Sequence, residues 1–273
     1  MISFRSVWYS IDGNSILEDV SFEVPRAATT VILGPSGSGK STALRLLLGL
    51  ARPDRGAILV DGEDITRASE RRLREIRQRV GMVFQQGALF DSMTVGENVG
   101  FALLEHEEPP EDELEGAIRT YLTLVGLDSD LLDRMPDQLS GGMQRRVAIA
   151  RALAARDPQI LLYDEPTTGL DPQSAERITD LIVRLRDEMG KTAVMVTHDI
   201  ADAFKVANTI TVLNEGRVVF NGSPMELAGT ESPFISEFLA PFRKAVAAAS
   251  TRIVPGAARR SAPPGAPPTG GVT

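Results

Sequence analysis

Cysteine is absent from this 273-residue chain, which excludes both a disulfide framework and a thiolate metal site. Long apolar runs are missing as well. No stretch approaches the roughly 20 uninterrupted apolar residues that a membrane-spanning helix needs. The most apolar segments, Thr29–Leu33 and Ile160–Tyr163, have the length of buried strands. The first residues, Met1-Ile-Ser-Phe-Arg5, enter a strand-like pattern directly and lack signal-peptide character, so a cytosolic location is expected. A basic excess is also lacking. With 37 acidic and 29 basic residues the net charge is -8, which argues against an extended nucleic-acid-binding face. Arg67, Arg71, Arg72, Arg74, Arg77 and Arg79 do cluster, but Glu70, Glu75 and Gln78 interleave them, the pattern of a solvated helix face.

What is present suits one large globular unit or two closely joined lobes: 42% of residues are hydrophobic and 24% charged. Alternating apolar residues suggest half-exposed strands over Ile2–Val7 and Val20–Val24, with another at Ala57–Val60. Thr29–Leu33 runs into a glycine-rich turn and then a helix expected over Ser41–Leu50. Further strands are expected at Met82–Phe84, Ile160–Tyr163, Ala193–Thr197, Thr209–Leu213 and Arg217–Phe220, the last two joined by the hairpin signal Asn214-Glu-Gly216. Residues 91–155 read as mostly helical, with a Pro/Glu-rich break at Glu105–Glu113. Short apolar strands alternating with helices imply an α/β core with a mainly parallel sheet.

Two segments carry phosphate chemistry, and a third is an ordinary helix start when taken alone. Gly34-Pro35-Ser36-Gly37-Ser38-Gly39-Lys40-Ser41, followed by Thr42, fits the P-loop pattern between a strand and a helix. Its backbone N–H groups and the helix N-terminus can surround phosphate oxygens, Lys40 can reach the β- and γ-phosphates, and Ser41 can ligate Mg²⁺. Ile160-Leu-Leu-Tyr-Asp164-Glu165 ends a buried strand in two acids. Strand alternation is expected to aim them apart, Asp164 toward the metal shell and Glu165 toward the attacking water. Leu139-Ser140-Gly141-Gly142-Met143 precedes a strongly periodic helix and so creates a second helix N-terminus with free N–H groups.

With these motifs in this order, residues 1–230 resemble the ATPase subunit of ATP-binding-cassette (ABC) transporters. The resemblance implies an α/β P-loop NTPase with a mainly parallel core sheet, an antiparallel β subdomain and a helical subdomain over about 91–155. It implies ATP and Mg²⁺ as cofactors. Tyr9 falls where the family stacks an aromatic ring on adenine. Gln85 matches the glutamine that contacts Mg²⁺ or water and relays nucleotide state to a membrane partner. Ser140, Gly141 and Gly142 match the signature loop, which grips the γ-phosphate held by a second copy of the chain. Asp171 matches a loop that crosses that dimer interface, and His198 the histidine that steadies the water held by Glu165. His106, in an acidic proline-containing segment, is expected only to be solvated.

Met143 departs from the commoner glutamine at the fifth signature position and cannot donate the same hydrogen bond, and Gln144 is not an obvious substitute. The run Leu139–Arg146, with Phe84–Phe90 and Leu104-Glu-His106, looks like the ATPases that energise Mla/MCE phospholipid transport. That resemblance implies separate permease subunits, an MCE-domain lipid-binding partner, and a peripheral place on the cytoplasmic face of the inner or plasma membrane. Met93-Thr-Val-Gly-Glu-Asn98 is shared with polar amino-acid importer ATPases, the alternative reading. A soluble ABC machine for DNA repair or translation is the third, disfavoured because coiled coils, zinc-binding cysteines and a second cassette are lacking; no nucleic-acid partner is expected. Ser232-Pro-Phe-Ile-Ser-Glu-Phe-Leu239 carries a helix-start signature, giving an expected C-terminal helical extension over 231–250. Residues 251–273 turn to Ala, Pro, Gly and Arg, and Ser261–Thr273 is expected to be disordered.

Overall fold

The computed structural model describes residues 1–104, 110–155 and 157–253. The expectations for His106 and for Ser261–Thr273 therefore lie outside the described residues. The chain divides into two compact units, Met1–Thr230 and Glu231–Thr273.

The first unit holds two sheets. One is antiparallel, with β1 (Ile2–Ile11), β2 (Asn14–Val24), β4 (Arg55–Val60) and β5 (Glu63–Asp64) in the order β2-β1-β4-β5. The alternation in its sequence places Ile2, Phe4 and Val7 inward together with Val20, Phe22 and Val24. Phe4 lies directly opposite Phe22 and stacks on it at 4.4 Å between ring centroids, a cross-strand pair that pins the register.

The second sheet has six strands. β3 (Thr29–Leu33), β6 (Val80–Val83), β7 (Ile160–Asp164), β8 (Thr192–Thr197) and β9 (Thr209–Asn214) are parallel, and β10 (Arg217–Gly222) is an antiparallel edge, in the order β10-β9-β3-β8-β7-β6. Every residue of β3 and β8 is buried, as expected where a parallel sheet is covered on both faces. The hairpin joining β9 to β10 turns through Glu215 (φ 47) and Gly216 (φ 74), the two left-handed residues of a type I′ turn. Because β3 lies between β8 and β9, its C-terminal end opens at the sheet's centre, where α/β sheets place ligands.

The helix after β3, α1 (Lys40–Leu47), is shorter than expected. It stops at Leu48 because the Gly49 N–H bonds Leu46 O at 3.0 Å and the Leu50 N–H bonds Arg45 O at 2.9 Å, a Schellman termination. Arg77, in α2 (Glu70–Arg77), adds its guanidinium to the same end, donating to Leu48 O at 2.8 Å and Gly49 O at 3.2 Å. Arg72 of the same basic cluster forms a bidentate pair with Glu63, both bonds at 2.5 Å. The mixed charges there are thus largely paired within the chain.

Between β6 and β7 the chain forms α3 (Val95–Leu104), α4 (Glu111–Leu124) and α5 (Gly141–Ala154). The buried Asn98 ties the entry to α3: its Nδ2 donates to the carbonyls of Phe90, Met93 and Thr94, and its Oδ1 accepts from the Phe90 N–H at 2.9 Å. Then follow α6 (Pro172–Met189), α7 (Ile200–Val206) and α8 (Pro224–Gly229). The second unit is built on α9 (Pro233–Ile253), which begins at the expected Ser232-Pro233 signal. Its Phe234 and Phe238 rings stack one turn apart at 5.8 Å.

Candidate functional site

Residues Gly34 to Gly39 fill the turn between the central strand β3 and the N-terminus of α1, whose first N–H groups are left free for an anion. Ser36 and Gly37 are exposed at the crest, while Ser38, Gly39 and Lys40 are buried. Gly39 has φ 101, a conformation that side chains resist, and a Cβ there would come within 2.5 Å of Leu17 Cδ2. Leu17 lies opposite Tyr9, so Tyr9 stands one strand from the loop, partly buried against the core. Ser38 Oγ is buried without a hydrogen-bond partner, an unmet donor within the loop.

Lys40 donates to Gly34 O at 2.9 Å and Pro35 O at 3.0 Å, and its ammonium lies 3.8 Å from Glu165 Oε1. Burial lowers its pKa, against the raising effect of Glu165 and then Asp164. Neutral carbonyls are weaker partners for an ammonium than phosphate oxygens, so a bound phosphate can draw Lys40 away from them.

The Ser41 hydroxyl donates to Asp164 Oδ1 at 3.0 Å. Burial raises the Asp164 pKa, the Ser41 bond lowers it, and Glu165 raises it further. Two hard oxygens from separate elements, beside a phosphate loop, fit Mg²⁺, which takes one or two protein oxygens and completes its shell with phosphates and water. No group of three or more His, Cys, Asp or Glu able to hold a metal occurs among the described residues.

Asp164 and Glu165 do diverge, but not through strand alternation. β7 ends at Asp164, and Glu165 follows it with φ 46, a left-handed backbone unusual for a residue with a side chain. That backbone is held by the Glu165 N–H bonding Val196 O at 3.0 Å and the Thr168 N–H bonding Glu165 O at 3.3 Å. Glu165 is 8% exposed, and its carboxylate is well occupied. His198 Nδ1 lies 2.8 Å from Glu165 Oε2, and the Thr168 hydroxyl donates to the same oxygen at 3.0 Å. Lys40, Ser41, Asp164, Glu165 and His198 are therefore one contiguous cluster at the C-terminal ends of β3, β7 and β8.

A second cluster forms elsewhere on the chain. Ser140 caps α5, its Oγ accepting the Met143 N–H at 3.3 Å. Asp171 caps α6, its Oδ1 accepting the Ser174 N–H at 3.0 Å; hydrogen bonding from the Ser174 side chain first, and then from that N–H, holds the carboxyl below its ordinary pKa. Gly142 joins the two caps: a Cβ on it would meet Ser174 Oγ at 2.7 Å and Ser174 Cβ at 2.8 Å. Gly141 is exposed beside Leu170. Met143 leaves the fifth signature position without a donor, and Gln144 does not replace it, since its amide donates to Pro136 O at 2.7 Å within the chain.

Gln85 lies in the exposed turn after β6, one residue later than expected because β6 closes at Val83. Val83 pairs with Tyr163, so Gln85 sits beyond the same sheet end as Asp164. Two arginines of α5 hold its loop. The buried Arg145 donates to Phe84 O at 2.6 Å, and Arg151 donates to Gly87 O at 2.9 Å and Ala88 O at 2.8 Å while lying over the Phe90 ring. Sequence reading missed these arginines, and missed Thr168 also. A hydroxyl three residues after the acid was the one available signal.

Comparison with known proteins shows the family. The ABC transporter family model matches residues 17–168. The intermembrane phospholipid transport system ATP-binding protein MlaF of Escherichia coli K12 is 39% identical over 239 residues, 88% of each chain. The probable ribonucleotide transport ATP-binding protein mkl of Mycobacterium leprae is 40% identical over 87% of this chain and 68% of its own. Among solved structures, the ATP-binding cassette MJ0796, a dimer bound to ADP and Pi, superposes with a TM-score of 0.74 at 34% identity over 82% of this chain and 99% of its own. CbiO1 of Clostridium perfringens, part of the cbiONQ transporter complex, gives 0.78 at 31% identity over 91% and 98%.

Proposed function

The chain belongs to the ABC transporter family as an ATP-hydrolysing subunit, and from that premise we propose that it energises phospholipid transport between membranes. The observation that carries the ATPase mechanism is the single cluster of Lys40, Ser41, Asp164, Glu165 and His198, with Ser140 presented at a separate exposed helix start. A site split in this way becomes whole when two copies close head to tail. Each phosphate loop then meets Ser140, Gly141 and Gly142 of the other copy, and Asp171 lies at the crossing. ATP touches both halves only in the closed state, so its binding shifts the pair toward closure.

Within each site Tyr9 stacks on the base and Gly34–Thr42 surrounds the phosphates. Ser41, Asp164 and Gln85 would hold Mg²⁺, which would supply positive charge to offset that of the phosphates. Glu165 accepts a proton from the attacking water, and His198 and Thr168 keep its carboxylate aimed. Loss of the shared γ-phosphate lets the pair reopen.

The similarity to MlaF over 88% of both chains supports the lipid assignment, as does the run Leu139–Arg146. No helix among the described residues is long and apolar enough to cross a membrane, so a separate permease carries the pathway. The chain docks on it through the Gln85 loop at the cytoplasmic face, in a complex that includes an MCE-type lipid-binding partner. Purifying the chain with its membrane partners tests this. Phospholipid and an MCE-domain protein should co-purify, and ATP should drive transfer of labelled phospholipid between vesicles. ATP-driven uptake of a nucleotide or amino acid without lipid transfer would overturn the lipid reading while leaving the ATPase reading intact.

A further inference from the structure

The turn that begins at Glu165 is held to the segment after β8 by two separate tethers, and only one of them uses groups already placed at the nucleotide. The first is the Glu165–His198 contact. The second lies deeper: the Thr167 hydroxyl donates to Asp202 Oδ2 at 2.5 Å. Thr167 is 8% exposed and stands two residues after Glu165, in the turn that Thr168 N–H closes onto Glu165 O. Asp202 is fixed from its own side. It lies in the first turn of α7, and its N–H is capped by Asp199 Oδ1 at 3.0 Å. Asp199 in turn donates its N–H to Thr197 Oγ1 at 2.9 Å. Both Thr167 and Asp202 line a cleft of ≈ 550 Å³ that His198 also borders.

Because Glu165 has a left-handed backbone, its turn needs support from outside itself. A hydrogen bond from Thr167 to a fixed carboxylate supplies that support without touching the reacting atoms. Burying Asp202 works against its charged form, and the Thr167 bond works the other way. We propose that Asp202 is a positioning residue for hydrolysis, acting through Thr167 to hold the Glu165 turn in register with His198. The proposal rests on the reading of Glu165 as the base.

The test compares steady-state ATP hydrolysis by the full chain carrying Asp202→Ala, Thr167→Val, both together, and Asp202→Asn, which keeps an acceptor oxygen. Displacing a catalytic group by about 1 Å costs on the order of 100-fold in rate, so each single variant should lose roughly 10–100-fold in kcat. KM for ATP should stay within about twofold, since uniform binding is untouched. The double variant should be no worse than the poorer single one, because the two residues act as a unit. Asp202→Asn should retain most of the rate. A contact that only stabilises the fold would lower Tm and leave kcat per folded molecule unchanged. That outcome, or additive losses in the double variant, or a loss confined to KM, overturns the proposal. If Glu165→Gln abolishes hydrolysis while Thr167→Val is wild-type, positioning alone fails. If Glu165→Gln itself hydrolyses ATP normally, the base assignment fails and this proposal with it.

Discussion

His198 Nδ1 and Glu165 Oε2 lie 2.8 Å apart at the ends of two adjacent parallel strands, β8 and β7. A carboxylate only accepts hydrogen bonds, so this contact is a hydrogen bond when the imidazole carries a proton on Nδ1. The sheet sets this meeting: Asp164 pairs with Val196, which places the residues just beyond each strand side by side. Glu165→Gln keeps the shape and the contact but removes the base. It should lower kcat by about 10²–10⁴-fold with ATP binding preserved, and ATP should then hold the chain as a dimer. Size-exclusion chromatography with and without ATP checks this, and a wild-type rate would contradict it.

A magnesium dependence follows from the Ser41–Asp164 pair. Removing the Ser41 oxygen leaves the ion to Asp164, Gln85, phosphates and water, so Ser41→Ala should raise the Mg²⁺ concentration needed for half-maximal hydrolysis by about 10–100-fold, the range typical of lost metal-site support. ATP binding measured without the metal should change little. An unchanged magnesium titration would remove Ser41 from the metal shell.

The strands and the phosphate loop were legible because their signals are local. The largely apolar runs at β3 and β8 and the Gly34–Ser41 spacing need no knowledge of what packs against them. The geometry of Glu165 was not legible, because its left-handed backbone depends on a bond to Val196, far along the chain. The same holds for Arg145 and Arg151. In sequence they are basic residues of a periodic helix, and only folding shows their guanidiniums bonded to carbonyls of the loop around Gln85. The end of α1 was not legible: the apolar pattern carries a helix on to Leu50, whereas the Gly49 and Leu50 N–H groups close back on Leu46 and Arg45.

Gly142 offers a test of packing apart from nucleotide contact. Its missing Cβ leaves room for Ser174, whose Oγ and Cβ would lie 2.7 Å and 2.8 Å from a new methyl. Overpacking of this kind costs about 1–3 kcal/mol, so Gly142→Ala should lower the unfolding free energy by that order. Ser174→Ala should not restore it, because the Cβ clash remains, whereas Ser174→Gly should. Equal destabilisation in all three backgrounds, measured by denaturant unfolding, would mean that this contact does not decide the residue.

Asp202 gives a pH-dependent expectation whose sign is fixed by its raised pKa. Desolvation is the leading cause, and Asp199 and Glu165 add to it against Thr167 and Lys205. Between its unfolded value near 3.8 and the higher folded value, the folded chain holds a proton that the unfolded chain has lost. Stability therefore falls as pH rises through that window, and above it the buried charge is a standing cost. Asp202→Asn removes the charge and keeps an acceptor for Thr167. The variant should melt above the wild type at pH 7.5, and the gap should shrink as pH is lowered toward 4. A gap independent of pH would show that Asp202 is not the group whose burial is being relieved.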